Sequence, residues 1–205
     1  MSVLTEPFPK TVTVHGTEYP VRWDFRTALQ CDRILRSQSE LTDTILLKAL
    51  FTFYVRRPLM FGEEHINQMF WFFSCGREKD KRRFPRKEAG INNKQPFDFE
   101  KDADVIYAGF LQQYRIDLQK ENMHWWKFMI LLENLGADTK LAKLIEYRTV
   151  DIANKNLSKE MRNFYKAMQR YYGLDLAPVV RDEKAQKIEE ALLNGGDVAK
   201  LLDEL

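Results

Sequence analysis

The chain has 205 residues, of which 44% are hydrophobic, 30% charged and 13% aromatic. This balance excludes general disorder and provides for a ring-rich core in one large domain or two small ones. A formal charge of +2 is too small to imply a nucleic-acid partner by itself, and the two lone cysteines, Cys31 and Cys75, exclude a zinc knuckle and argue against a disulfide framework.

The opening MSVLTEPFPK has neither a basic n-region nor an apolar h-region, and no apolar run approaches the ~20 residues of a membrane span. A soluble, cytoplasmic protein without membrane contact is expected. TVTVHGTEYPVRW alternates apolar and polar residues on both sides of His15-Gly16-Thr17, which reads as a β-hairpin. Asp24 is a good N-cap for a helix to about Ser37, with Phe25, Ala28, Leu29 and Leu35 near one face. A second helix from Thr42 carries Leu47, Leu50, Phe51 and Tyr54 on one stripe and is stopped by Pro58. A third runs from about Gly62 to Cys75, with Ile66, Met69, Phe70 and Phe73 at helical spacing.

From Arg77 to Pro96 the composition changes abruptly. Seven basic residues stand against three acidic ones between Arg77 and Glu88, followed by Gly, Asn, Gln and Pro with little to bury. Such a stretch cannot offset its ordering entropy and is expected to be an exposed linker. Beyond it, Ala103, Ile106, Tyr107, Phe110, Leu111 and Tyr114 form one helical face, and Gly109 within it suggests a close packing contact. HWWKFMILLENL follows and stops at Gly136; Leu141, Leu144 and Ile145 mark a shorter helix, and Met161, Phe164, Tyr165 and Met168 another that closes at Gly173. After Pro178, Ala185, Ile188 and Leu192, then Val198, Leu201, Leu202 and Leu205, form two amphipathic pieces split by Gly195-Gly196. The expected fold is mainly α, a short amino-terminal β-hairpin followed by a multi-helix bundle, with two helical modules joined by a basic linker. The boundaries read as residues 1–76 for the first module, 77–96 for the linker, 97–176 for the carboxy-terminal bundle and 177–205 for an amphipathic tail.

Catalytic chemistry finds no foothold in these residues. In HWWKFMILLENL, Trp125, Phe128, Met129 and Leu132 share one face while Trp126 and Ile130 extend it, so the helix is apolar around most of its circumference and reads as core. The competing reading, a stacking platform for a ring ligand, lacks the flanking basic side chains such sites use. Asp98, Glu100, Asp102 and Asp104 crowd the first turns of a helix, where they complement its dipole and cap free amides more readily than they hold a metal. His15, His65 and His124 show no metal-binding spacing, and no nucleophile elbow, Walker sequence or dinucleotide fingerprint is present. No catalytic residue, metal site or cofactor is therefore expected. The basic stretch has only Phe84 for stacking and is diluted by Glu78, Asp80 and Glu88, which fits a solvated connector better than a nucleic-acid surface. The partner-binding candidates are Ile188, Leu192, Val198, Leu201, Leu202 and Leu205, because a short amphipathic helix is stable only when docked.

FDFEKDADVIYAGFLQQYRIDL, HWWKFMILLENL and KLIEYRTVDI, in that order, resemble the bacteriophage family known as gene product fifteen. WDFRTALQCDRIL and the basic stretch are also similar to its pattern, so the resemblance covers roughly Val12 to Tyr172. Within it, Phe97, Tyr107, Phe110, Trp125, Trp126, Phe128, Leu144 and Tyr147 stand as the structural core of the shared motif. The resemblance implies a long-tailed phage or prophage protein whose gene lies between those of the major tail protein and the tape measure. That position implies a tail assembly chaperone, acting in the bacterial cytoplasm, that binds the tape measure protein, meets the major tail protein and self-associates along its client. A structural component of the tail is the alternative, and a nucleic-acid binder acting through the basic stretch a more distant one.

Overall fold

The computed structural model describes residues 3–38, 40–58, 60–77 and 86–174. The candidates from Ile188 to Leu205 and residues 78–85 of the basic stretch lie outside the described residues. The architecture is mainly helical with one antiparallel hairpin, as the sequence predicts. The described residues fall into two compact units, one holding residues up to 77 together with 122–130, the other 86–121 together with 131–174.

In the first unit, strands β1 (Thr11–Val14) and β2 (Thr17–Pro20) pair in the register Val12 with Tyr19 and Val14 with Thr17. The two-residue turn has positive φ at both His15 (47°) and Gly16 (78°), the left-handed pair that matches the twist of a tight hairpin. Helix α1 (Phe25–Leu35) starts where Asp24 accepts the Arg26 amide at 2.9 Å, and buries Phe25, Ala28 and Cys31. Helix α2 (Asp43–Phe53) is capped by Thr42 Oγ1, and its last carbonyls receive the Arg22 guanidinium, at 2.9 Å from Thr52 and 2.7 Å from Tyr54. Helix α3 (Glu63–Phe73) ends in a Schellman arrangement, with Gly76 N–H donating to Trp71 O and Cys75 N–H to Phe72 O.

The expected stripe on α2 is rotated. Ile45, Leu46, Ala49, Leu50 and Phe53 are buried, while Leu47 and Phe51 face outward. Residues 46/49/50/53 and 47/50/51/54 satisfy the same helical spacing in ILLKALFTF, so periodicity could not choose between the two faces; packing against α1 and α3 does.

The HWW segment joins this first unit rather than the helices that follow it in sequence. Residues 20–25 run extended between two neighbours: Arg22 N–H donates to Phe53 O and Val55 N–H to Pro20 O on one side, Phe25 N–H to Met123 O and Trp125 N–H to Trp23 O on the other. Helix α5 (Trp125–Glu133) therefore begins in the first unit and leaves it after Ile130.

In the second unit, helix α4 (Ala103–Tyr114) buries Val105, Ile106, Gly109 and Phe110, whereas Ala103 and Leu111, expected inside, are exposed. A Cβ on Gly109 would lie 3.1 Å from Leu135 Cδ1, so the predicted close approach is present. Helix α6 (Lys140–Thr149) is capped by Thr139 and buries Leu141, Leu144 and Arg148. Helix α7 (Lys159–Tyr172), capped by Ser158, buries only Tyr165; Met161 and Phe164 of its expected core stripe are exposed. Residues 90–92 of the expected free linker are held on the end of α6: Asn92 N–H donates to Thr149 O at 2.7 Å, and its amide to Arg148 O and Val150 O at 3.0 Å each. Backbone and amide hydrogen bonds, not apolar side chains, hold this part of the stretch, which is why composition did not show it. No helix among the described residues is long and apolar enough to cross a membrane.

Candidate interaction site

Trp126 is 2% exposed and donates its indole N–H to Phe72 O at 2.8 Å; Trp125 does the same to Phe73 O at 3.0 Å. Both acceptors are terminal carbonyls of α3, so each indole satisfies a helix end while filling the core. Gly76, at φ +65°, is held against Trp126, where a Cβ would meet the ring carbon Cη2 at 2.6 Å. His124 lies between the rings of Phe8 and Trp23, with centroids 5.0 and 5.8 Å away. Its Nδ1 accepts the Trp126 amide at 3.0 Å and its Nε2 faces Pro9 O at 2.8 Å, an assignment that requires the neutral tautomer protonated at Nε2. Burial holds this imidazole below its ordinary pKa against the opposing bond to Pro9, and Lys10 adds to the depression. His65, whose Nδ1 accepts the Gly62 amide, is likewise held down by burial. Burial pushes the Cys31 thiol up to about 12, leaving a protonated, unreactive group at neutral pH.

This rigid aromatic body presents α2 with its outer side uncovered. Leu47 and Phe51, four residues apart on α2, are 42% and 40% exposed, and Val55, in the extended segment after the helix, is 48% exposed. The Phe61 ring packs edge-on against Phe51 at 5.4 Å, and the Arg57 guanidinium lies 4.5 Å from the Phe51 centroid. The result is an exposed apolar patch with one cation over the Phe51 ring.

The second unit is organised around a buried ion pair. Arg148 Nη1 and Nη2 donate to the two Asp102 oxygens at 2.7 and 2.9 Å, and both side chains are almost wholly buried. Arg148 Nε also donates to Tyr172 O at 2.7 Å, and Asp102 accepts the Asp98 amide, so this pair ties α4, α6, the end of α7 and the preceding loop together. Asp102 therefore makes no side-chain cap on α4, and Asp98 accepts the Glu100 and Lys101 amides of the turn that precedes the helix. Arg148 was missed in sequence, although it continues the buried 141/144 spacing of α6, where a charged side chain signals a buried partner. An open hollow of about 270 Å³ beside the pair is lined by Lys101, Lys140, Leu144 and Tyr171 among others. Tyr165 donates to Glu146, which pushes its phenol up to about 12.

The motif residues separate into two groups. Trp125, Trp126 and Phe128 are buried in the first unit; Phe110 and Leu144 are buried in the second, with Phe97, Tyr107 and Tyr147 half-buried there. Tyr107 donates to Asp117 at 3.0 Å, and Tyr147 packs against the rings of Phe164, Tyr165 and Tyr172. Among the described residues no group of three or more His, Cys, Asp or Glu side chains could hold a metal ion. A family model described as Bacteriophage Gp15 protein matches residues 4–174. No curated protein and no solved structure matches the chain.

Proposed function

Since this chain belongs to the bacteriophage Gp15 family, we propose that it is a tail assembly chaperone that acts by binding rather than by catalysis. Its client is the tape measure protein, a long amphipathic helix whose apolar stripe needs cover until the tube closes round it. Leu47 and Phe51 on α2, with Val55 just past its end, carry this reading, because the helix leaves two large apolar side chains outward while its opposite side is locked into the core. A helix laid along that strip would bury the rings of Phe51 and Phe61 and place a carboxylate within reach of Arg57. The major tail protein is a second partner in the same step, and the work takes place in the cytoplasm of the infected bacterium.

Coexpression tests the proposal. The chain should keep otherwise insoluble overlapping fragments of the tape measure protein in solution, and should be absent from purified virions. Failure with every fragment, together with its presence in mature tails, would establish the structural alternative.

A further inference from the structure

We infer that the exposed side of α2 is a two-fold interface, covered in solution by the α2 of a second copy of this chain laid antiparallel to it. The charges at its two ends select that occupant. Glu40 and Asp43 flank the start of α2 and Arg56 and Arg57 follow its end; all are exposed, and among the described residues none of the four forms an ion pair. Arg22 adds a third guanidinium at the end of α2, where it donates to the carbonyls of Phe51, Thr52 and Tyr54. The face is thus acidic at one end and basic at the other, with Leu47, Phe51 and Val55 outward between them. An acidic helix from another protein would satisfy the arginines and leave Glu40 and Asp43 against like charge. Two copies laid parallel would set like charges together at both ends. Laid antiparallel, each acidic end meets a basic one, and the two helix dipoles run in opposite directions.

The register follows from the spacing along the helix. With Leu47 opposite Phe51 of the second copy, Asp43 comes level with that copy's Val55, the residue before its two arginines. Asp43 lies ~12 Å from its own Phe51 along the axis at ~1.5 Å per residue, so the apolar centre and the charged ends are engaged together. The Arg57 guanidinium, 4.5 Å from the centroid of its own Phe51 ring, is held beside the apolar side chains rather than spread into water, in place for a carboxylate arriving with them. The two-fold relation makes each of these contacts occur twice. The face is the one the client reading uses, so a second copy and a client exclude each other on it. The dimer follows from the charges around the face and does not rest on that reading.

Sedimentation equilibrium of full-length charge variants tests the inference. The parent should dimerise as its concentration rises, and added salt should weaken the dimer, a readout that needs no variant. Asp43→Lys and Arg56→Glu/Arg57→Glu keep every apolar side chain; each alone should stay folded and dimerise at least tenfold more weakly, because it sets like charges together at both ends of the pair. Mixed in equal amounts they should form a one-to-one heterodimer, since the new lysine faces the new glutamates while the untouched Asp43 of one variant faces the untouched arginines of the other. A parent that stays monomeric up to ~100 µM overturns the inference, as do a dimer insensitive to salt, association that survives the charge variants, and a mixture that fails to restore it. A parent that dimerises yet binds no tape measure fragment keeps this interface and removes the client reading; a monomeric parent that binds the fragment does the reverse.

Discussion

Arg148 and Asp102 are the residues whose loss the second unit tolerates least. The pair is bidentate and nearly water-free, with further bonds to Tyr172 O and the Asp98 amide, so removing one partner strands a buried charge. Arg148→Met should destabilise the unit by about 3–5 kcal/mol, whereas Asp102→Leu combined with Arg148→Met should cost less than the single change, because neither charge is then stranded. Urea denaturation of the three proteins measures both values. In the first unit the sensitive group is His124. Its folded pKa lies below the unfolded value near 6.5, so the neutral imidazole supports the fold above that pH, and stability falls as pH drops toward the depressed folded value. Protonation at Nδ1 would also set a second N–H against the Trp126 amide. The urea midpoint should therefore decline below about pH 6.5, and His124→Asn should reduce the slope, leaving the share due to His65, which has the same sign. An unchanged slope in that variant would mean that His124 takes up its proton as readily in the fold as in the unfolded chain.

Helix α5 acts through the end of α3. Trp126→Ala should cost about 3–5 kcal/mol by leaving a cavity between Phe72, Trp71 and Phe8, and it also removes the indole bond to Phe72 O, which keeps only the one from Cys75 N–H. Gly76→Ala should be destabilising for the complementary reason, since the new methyl meets the same indole at a backbone that favours glycine. Calorimetry of the two variants checks both, and a parent-like melting temperature for Trp126→Ala would return the tryptophans to the status of a binding platform. Elements with local signals were legible in the sequence: the His15-Gly16 turn, the cap at Asp24, the helix start at Thr42, the glycine contact on α4. Elements decided by distant partners were not. Nothing near α5 announces that its tryptophans cap a helix fifty residues earlier, and nothing in ILLKALFTF distinguishes the face that packs from the face left open. The outward strip on α2, the part of the candidate site that matters most, was for that reason read as core.

On the scale of the whole chain, the two units, the basic stretch and the tail map unevenly onto the family. The match to residue 174 takes in both described units, and the acidic segment beyond it lies outside the match. The account turns on the α2 strip. Leu47→Ser/Phe51→Ser changes side chains on the open side of α2, and the loss of the Phe51 contacts with Phe61 and Arg57 should cost about 1 kcal/mol, so the variant should stay folded. The decisive measurement is a titration of a soluble, labelled tape measure fragment with parent and variant by fluorescence anisotropy. The account predicts saturable binding by the parent and at least a tenfold loss in the folded variant, on the order of 1.4 kcal/mol or more. Equal affinity of the two, or no binding by the parent to any fragment along the tape measure, would contradict it.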